Sequence, residues 1–214
     1  MKKRKTLSKT NFKKNTRKKP QQNFFYKNFL DAVAYTKKVK THFIFSLILF
    51  FTIGIIGFIF PIFFVEEIKN FIQELIQLTA GMNSFELTLY IIYNNIKSAI
   101  FAIVLGIAFG ILPIGIIILN GYVLGFISNK TASVEGIFIL WKLLPHGIFE
   151  IPAVLLSTAL GLKLGLFLFT YSGKNKLKEF GNWLINSFKV FIFIIIPFLV
   201  LAGIIEGILI ALTS

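Results

Sequence analysis

Two stretches of this sequence carry no charge at all: Phe43–Val65, 23 residues long, and Ser98–Asn129, 32 residues long. A helix crosses the hydrocarbon of a bilayer with roughly 20 consecutive apolar residues, so both runs are long enough to span. The whole chain leans the same way: 56% of its 214 residues are hydrophobic and 15% charged, against about half and about a quarter in soluble domains. A water-soluble globular protein is excluded. The expected fold class is an all-α, polytopic membrane helix bundle.

The missing residue types exclude several chemistries. Without cysteine there is no disulfide, thiolate nucleophile or thiolate-bound metal. Asp31 is the single aspartate, and no phosphate-binding G-x-x-x-x-G-K-[ST] loop occurs, so nucleotide hydrolysis must come from elsewhere. Neither H-E-x-x-H nor G-x-S-x-G is present. No cofactor, metal site or catalytic residue is expected, and the chain reads as one without its own enzymatic activity.

Charge is concentrated at one end. Residues 1–42 hold 14 of the 23 lysines and arginines but one of the nine acids. Residues 1–22 form a basic tail, including Lys13, Lys14, Arg17, Lys18 and Lys19, too polar and self-repelling to pack. It reads as a disordered cytoplasmic segment that sets topology and touches anionic lipid, rather than as a nucleic-acid arm or a cleaved signal peptide. Residues 23–42 place Phe25, Phe29, Ala32 and Val33 at helical spacing among lysines. They suggest an amphipathic interfacial helix leading into a bundle domain over 43–214.

Five spans are expected. The first is Phe43–Val65, followed by an amphipathic helix over Glu66–Thr79. The 32-residue run would be about 48 Å long as one helix, against a hydrocarbon core of roughly 30 Å. Gly110-Ile-Leu-Pro113 lies in its middle, where proline removes a donor. It therefore divides into spans at about 91–111 and 113–129. Leu144-Pro145-His146-Gly147 divides the next apolar stretch into a short re-entrant or interfacial piece (Gly136–Leu144) and a fourth span at about 149–171, with Pro152 in its first turn. Phe188–Thr213 is the fifth. The loop at 172–189 carries Lys174, Lys176, Lys178 and Lys189 against Glu179. Five crossings place it on the cytoplasmic side with the N-terminus, and the C-terminus outside.

Four spans contain G-x-x-x-G: Gly106/Gly110, Gly121/Gly125, Gly161/Gly165 and Gly203/Gly207. Small residues four apart let two backbones approach closely, a main source of affinity between helices in lipid. They point to a compact bundle, with a notch left over for a homo-oligomer or a partner helix. Trp141 and Trp183 flank spans and suit the interfacial belt, while Lys163 is placed to snorkel. Asn129-Lys-Thr131 is a formal glycosylation sequon on an outer loop.

Six polar residues fall within the apolar part: Asn94, Asn95, Asn120, His146, Glu150 and Glu206. A carboxylate at membrane depth costs about 2.5–3.5 kcal/mol on insertion scales, so each needs a partner or a purpose. The topology gathers them in the middle and outer half of the membrane, with His146 and Glu150 four apart. Three readings stand side by side: a hydrogen-bonded knot that fixes helix order, a proton-, ion- or ligand-handling site, and a hydrolase or metal site using His146 and the two carboxylates.

Taken in order, Asn94-Asn95, Gly106/Gly110, Asn120-Gly121-x-x-x-Gly125, His146-Gly-x-x-Glu150 with Pro152-Ala153, Gly161-Leu-x-x-Gly165, and Pro197 with Ile205-Glu206 form a recognisable series. The chain resembles the stage II sporulation protein M family of integral membrane proteins over roughly residues 24–212. In spore formers the namesake is the membrane component of the engulfment complex and acts with peptidoglycan-degrading partners. The resemblance implies a five-span membrane scaffold or partner-recruiting subunit in the cell membrane, assembling with other envelope membrane proteins. The alternatives kept beside it are a small transporter or permease subunit and an intramembrane hydrolase. The long basic tail departs from the family pattern.

Overall fold

The computed structural model describes residues 23–107 and 110–213. The basic tail, with Lys13, Lys14, Arg17, Lys18 and Lys19, lies outside the described residues, as does the side chain of His146. Among the described residues all regular structure is helical: α1 (Phe24–Ile59), α2 (Val65–Thr79), α3 (Ser84–Gly106), α4 (Ile111–Glu135), a 3-10 segment (Ile137–Leu143), α5 (Leu144–Gly165), α6 (Phe167–Thr170), α7 (Lys176–Val190), a π-helical turn (Phe191–Ile195) and α8 (Ile196–Thr213). Five helices among them are long and apolar enough to cross a membrane, counting α7 through α8 as one.

Local chemistry sets the ends. Asn83 caps α3, accepting from the Glu86 amide at 3.0 Å, while Glu86 returns a bond to the Asn83 amide at 2.9 Å. This reciprocal box satisfies donors that a helix start leaves open. Between α3 and α4 the chain turns through Gly110 at φ +74°, a conformation that costs glycine no side-chain clash. Pro113 then sits in the first turn of α4, where its missing N–H breaks no helical bond.

Four expectations need correcting. The lead-in over 23–42 is not a separate helix lying on the surface; it continues into the first span as the 36-residue α1. Ala32, Tyr35 and Val39 are buried in a core shared with α5 and with Val190, Phe191 and Ile195. Of the expected apolar stripe, Ala32 thus faces protein, while Phe25, Phe29 and Val33 stay exposed. The first span also ends at Ile59 rather than Val65, because the chain turns at Phe60–Phe64. The expected loop at 172–189 is largely the helix α7, whose Phe180, Trp183 and Leu184 pack on the same core. Finally, α5 begins at Leu144, which puts Pro145 in its first turn and Pro152 inside it.

α5 is the centre of the bundle. It touches α1, α3, α4 and α8, and Ala153, Leu155, Ala159, Leu160, Leu162 and Leu164 are all essentially inaccessible. α1 lies along α4, and α3 and α8 flank α5 on its other side. α2 lies across one end and seats Ile68 against Tyr122 and Phe126 of α4. We call that the distal end; the opposite, basic end carries Lys27, Lys37, Lys38, Lys40, Lys163 and Lys189.

Candidate functional site

The glycines decide how close the helices come. A methyl at Gly106 would run into the backbone of Gly161, one at Gly161 into the Ala102 carbonyl, and one at Gly165 into the backbone of Gly106 and Gly110. Two of the motifs therefore meet in one α3–α5 crossing. Gly121 faces the Phe50 carbonyl and Gly125 that of Gly54, with Gly57 against Tyr122, so α1 and α4 touch backbone to backbone. On α8, Gly203 receives the Ile92 side chain and Gly207 the hydroxyl of Thr88, both from α3. Each of the four motifs has a neighbour within this chain. Gly54 and Gly57 are three apart, and a four-residue search passes over them.

Polar side chains seal the distal end. The Tyr122 hydroxyl donates to the Phe60 carbonyl at 2.8 Å and accepts from the Phe63 amide at 2.9 Å. Asn129 donates to the Phe58 carbonyl at 2.9 Å. The sequon asparagine is thus inside α4 and engaged by α1, not on an outer loop. At the basic end, Lys189 and Asp31 pair at 2.6 Å across α7 and α1. Lys163 donates to the Lys38 carbonyl at 3.2 Å, and its ammonium lies 4.2 Å from the Trp183 ring centre. The Trp183 indole donates in turn to Glu179 at 3.1 Å.

The six polar candidates do not all share one place. Asn120, Ser128 and Glu150 line a cleft of about 710 Å³ between α1, α4, α5 and the 3-10 segment, otherwise walled by apolar residues such as Phe50, Phe51, Leu124 and Ile148. Phe51 and Ile148 are largely exposed, so the cleft opens on the flank of the bundle. Asn120 donates to the Ile116 carbonyl of its own helix at 2.8 Å. Glu206 lies on α8 and is not among the residues that line the cleft. Asn94 and Asn95 stand apart. They lie mid-way along α3 rather than at its outer end, because the capped start at Ser84 adds about two turns before the expected start at 91; α3 gives no residue to the cleft wall. Among the described residues no group of three His, Cys, Asp or Glu could hold a metal ion.

The family described as Stage II sporulation protein M matches residues 9–209. The chain belongs to that family. The match takes in all five long apolar helices and reaches back into the basic tail, further than the motif series did. A protein of Methanocaldococcus jannaschii described as uncharacterized is 34% identical over 137 residues, which is 63% of this chain and 60% of the relative. The matched region thus spans about three-fifths of that relative's length. No solved structure matches the chain. Family membership and the five apolar helices together make this a multi-pass membrane protein of the stage II sporulation protein M family.

Proposed function

We propose that this family member is a non-catalytic membrane subunit that recruits partner proteins of the cell envelope, and that the cleft between α1, α4 and α5 receives a partner's transmembrane helix. The cleft is the observation that carries the reading. Its walls are apolar, its mouth lies on the lipid-facing flank, and Asn120 and Glu150 offer a helix polar anchors where such contacts are scarce. The G-x-x-x-G notches are filled by neighbours within the chain, so docking through the cleft fits better than docking through a glycine notch. A helix with small or hydroxylated residues at one face would fit.

The test is site-specific photocrosslinking in native membranes. A crosslinker at Ile148 or Phe51 should trap a discrete membrane protein, and one at Leu201 on α8 should not. Glu150→Ala should lower the yield at Ile148 while the protein remains folded. Equal trapping at all three positions would remove the cleft as the docking surface. A small-ligand site is the second reading, favoured by the Glu150 carboxylate on the wall of a mostly apolar cleft. It expects Glu150→Gln to abolish ion or ligand flux in vesicles with partner crosslinking intact.

A further inference from the structure

A second cleft, of about 340 Å³, lies on the basic side of Pro152. α1 supplies Lys37, Lys40 and Phe43, α5 supplies Pro152, and the third wall is Ile194 and Phe198. Two irregular stretches of helix contribute to its walls. Pro152 has no N–H to give the carbonyl four residues before it, and its ring pushes that turn open. Opposite, the chain widens into the π-helical turn Phe191–Ile195, where the Ile196 amide bonds the Phe191 carbonyl. Pro197 follows this turn, and a proline there has no N–H to give a regular helical bond. Such wide turns are rare, and are frequently found at functional sites.

The charge at the rim is uncompensated. Lys37 and Lys40 are three apart and project from one face of α1. Neither belongs to an ion pair among the described residues, where the two pairs are Lys69–Glu66 and Lys189–Asp31. Asp31, the acid of this part of α1, is thus already committed to α7. Two cations stand at one end of an apolar slot that faces the lipid. The pattern matches an amphiphile with an anionic head and a hydrocarbon chain.

We propose that this cleft binds one anionic phospholipid from the leaflet at the basic end, its phosphate between Lys37 and Lys40 and one chain along Phe43, Pro152, Ile194 and Phe198. The site is separate from any diffuse attraction of residues 1–22 to a charged surface, and it stands or falls independently of the partner cleft.

Native mass spectrometry of the full chain in mild detergent tests it, using phosphatidylglycerol and phosphatidylcholine with identical chains. One phosphatidylglycerol per chain should survive activation that strips phosphatidylcholine. Each lysine beside an anionic lipid surface contributes about fivefold to affinity, so K37Q/K40Q should weaken retention by about 25-fold. Both lysines are exposed, and the variant's thermal melting should match the parent's. The tail variant K13Q/K14Q/K18Q/K19Q should keep the bound lipid. Equal retention of the two lipids, full retention by K37Q/K40Q, or loss in the tail variant would each overturn the proposal. Displacement of the lipid by inorganic phosphate alone would also overturn it, since the apolar slot would then contribute nothing.

Discussion

Tyr122 shows how much a single side chain can hold in this protein. Its hydroxyl closes the turn after α1 by bonding both the Phe60 carbonyl and the Phe63 amide, and its ring meets Phe64 edge-on at 6.2 Å. Phe64 has φ +53°, a conformation that a bulky residue keeps only when its surroundings over-determine it. Tyr122→Phe leaves an amide and a carbonyl without partners where water is scarce, so the loss should be about 1–3 kcal/mol. Asn129→Ala removes one bond between two helices and should cost nearer the average for such bonds, about 0.6 kcal/mol. Reversible unfolding in mixed micelles measures both, and equal losses would show that the turn does not depend on the hydroxyl. Nothing in the sequence marks Tyr122 or Asn129 for these roles. Their partners are 62 and 71 positions away, and one cross-chain bond leaves no periodic trace. Glu150 was legible, because a carboxylate in an apolar run must be provided for; that Asn120 shares its cleft while Asn94 does not depends on helix faces that only the packing reveals.

Among elements, the α3–α5 crossing is the most sensitive contact, since backbone meets backbone there. Gly161→Ala places a methyl against the Ala102 carbonyl, and the helices must separate, at about 1–3 kcal/mol for overpacking of this kind. Gly115→Ala is the control. Nothing lies within 4 Å of a methyl at that position, and alanine is favoured over glycine inside a helix by up to about 1 kcal/mol. The two changes should therefore move stability in opposite directions, and a loss at both would mean that glycine flexibility, not space, is what the bundle needs. The sequence located the helices well where uncharged runs and the Gly110–Pro113 break define them. It located them less well where helix and loop look alike in composition. Residues 172–189 read as a charged loop, yet most of them form α7, because Phe180, Trp183 and Leu184 find a core formed by other helices. Likewise residues 24–42 read as a separate surface helix because their pattern is amphipathic; Phe25, Phe29 and Val33 do stay exposed, and only the presence of α5 and α7 shows that Ala32, Tyr35 and Val39 are covered.

The whole molecule gathers its charge by end. The basic end collects Lys27, Lys37, Lys38, Lys40, Lys163, Lys174, Lys176, Lys178 and Lys189 against Asp31 and Glu179, whereas at the distal end Glu66, Glu67 and Glu74 of α2, Glu86 at the start of α3 and Glu135 at the end of α4 outnumber Lys69 and Lys130. Lys163 supports this division despite its position on α5, because its ammonium turns towards Lys38 and Trp183 at the basic end. Lysine and arginine near span ends favour the cytoplasmic side, and five crossings put the two chain ends on opposite sides. A reporter inserted in the turn at Gly173–Asn175 should therefore read cytoplasmic, one joined after Ser214 should read external, and one between α2 and α3 at Gly81 should also read external. The Gly81 site sharpens the test, for its glycine has open space around it and tolerates an insertion. If Gly81 and Ser214 report opposite sides, one of the four crossings between them does not span. Were that crossing α4, which carries Asn120, Asn129 and Lys130, it would have to be re-entrant. The recruitment cleft on its flank would no longer lie at a constant depth in the bilayer, and the partner-helix reading would fail with it.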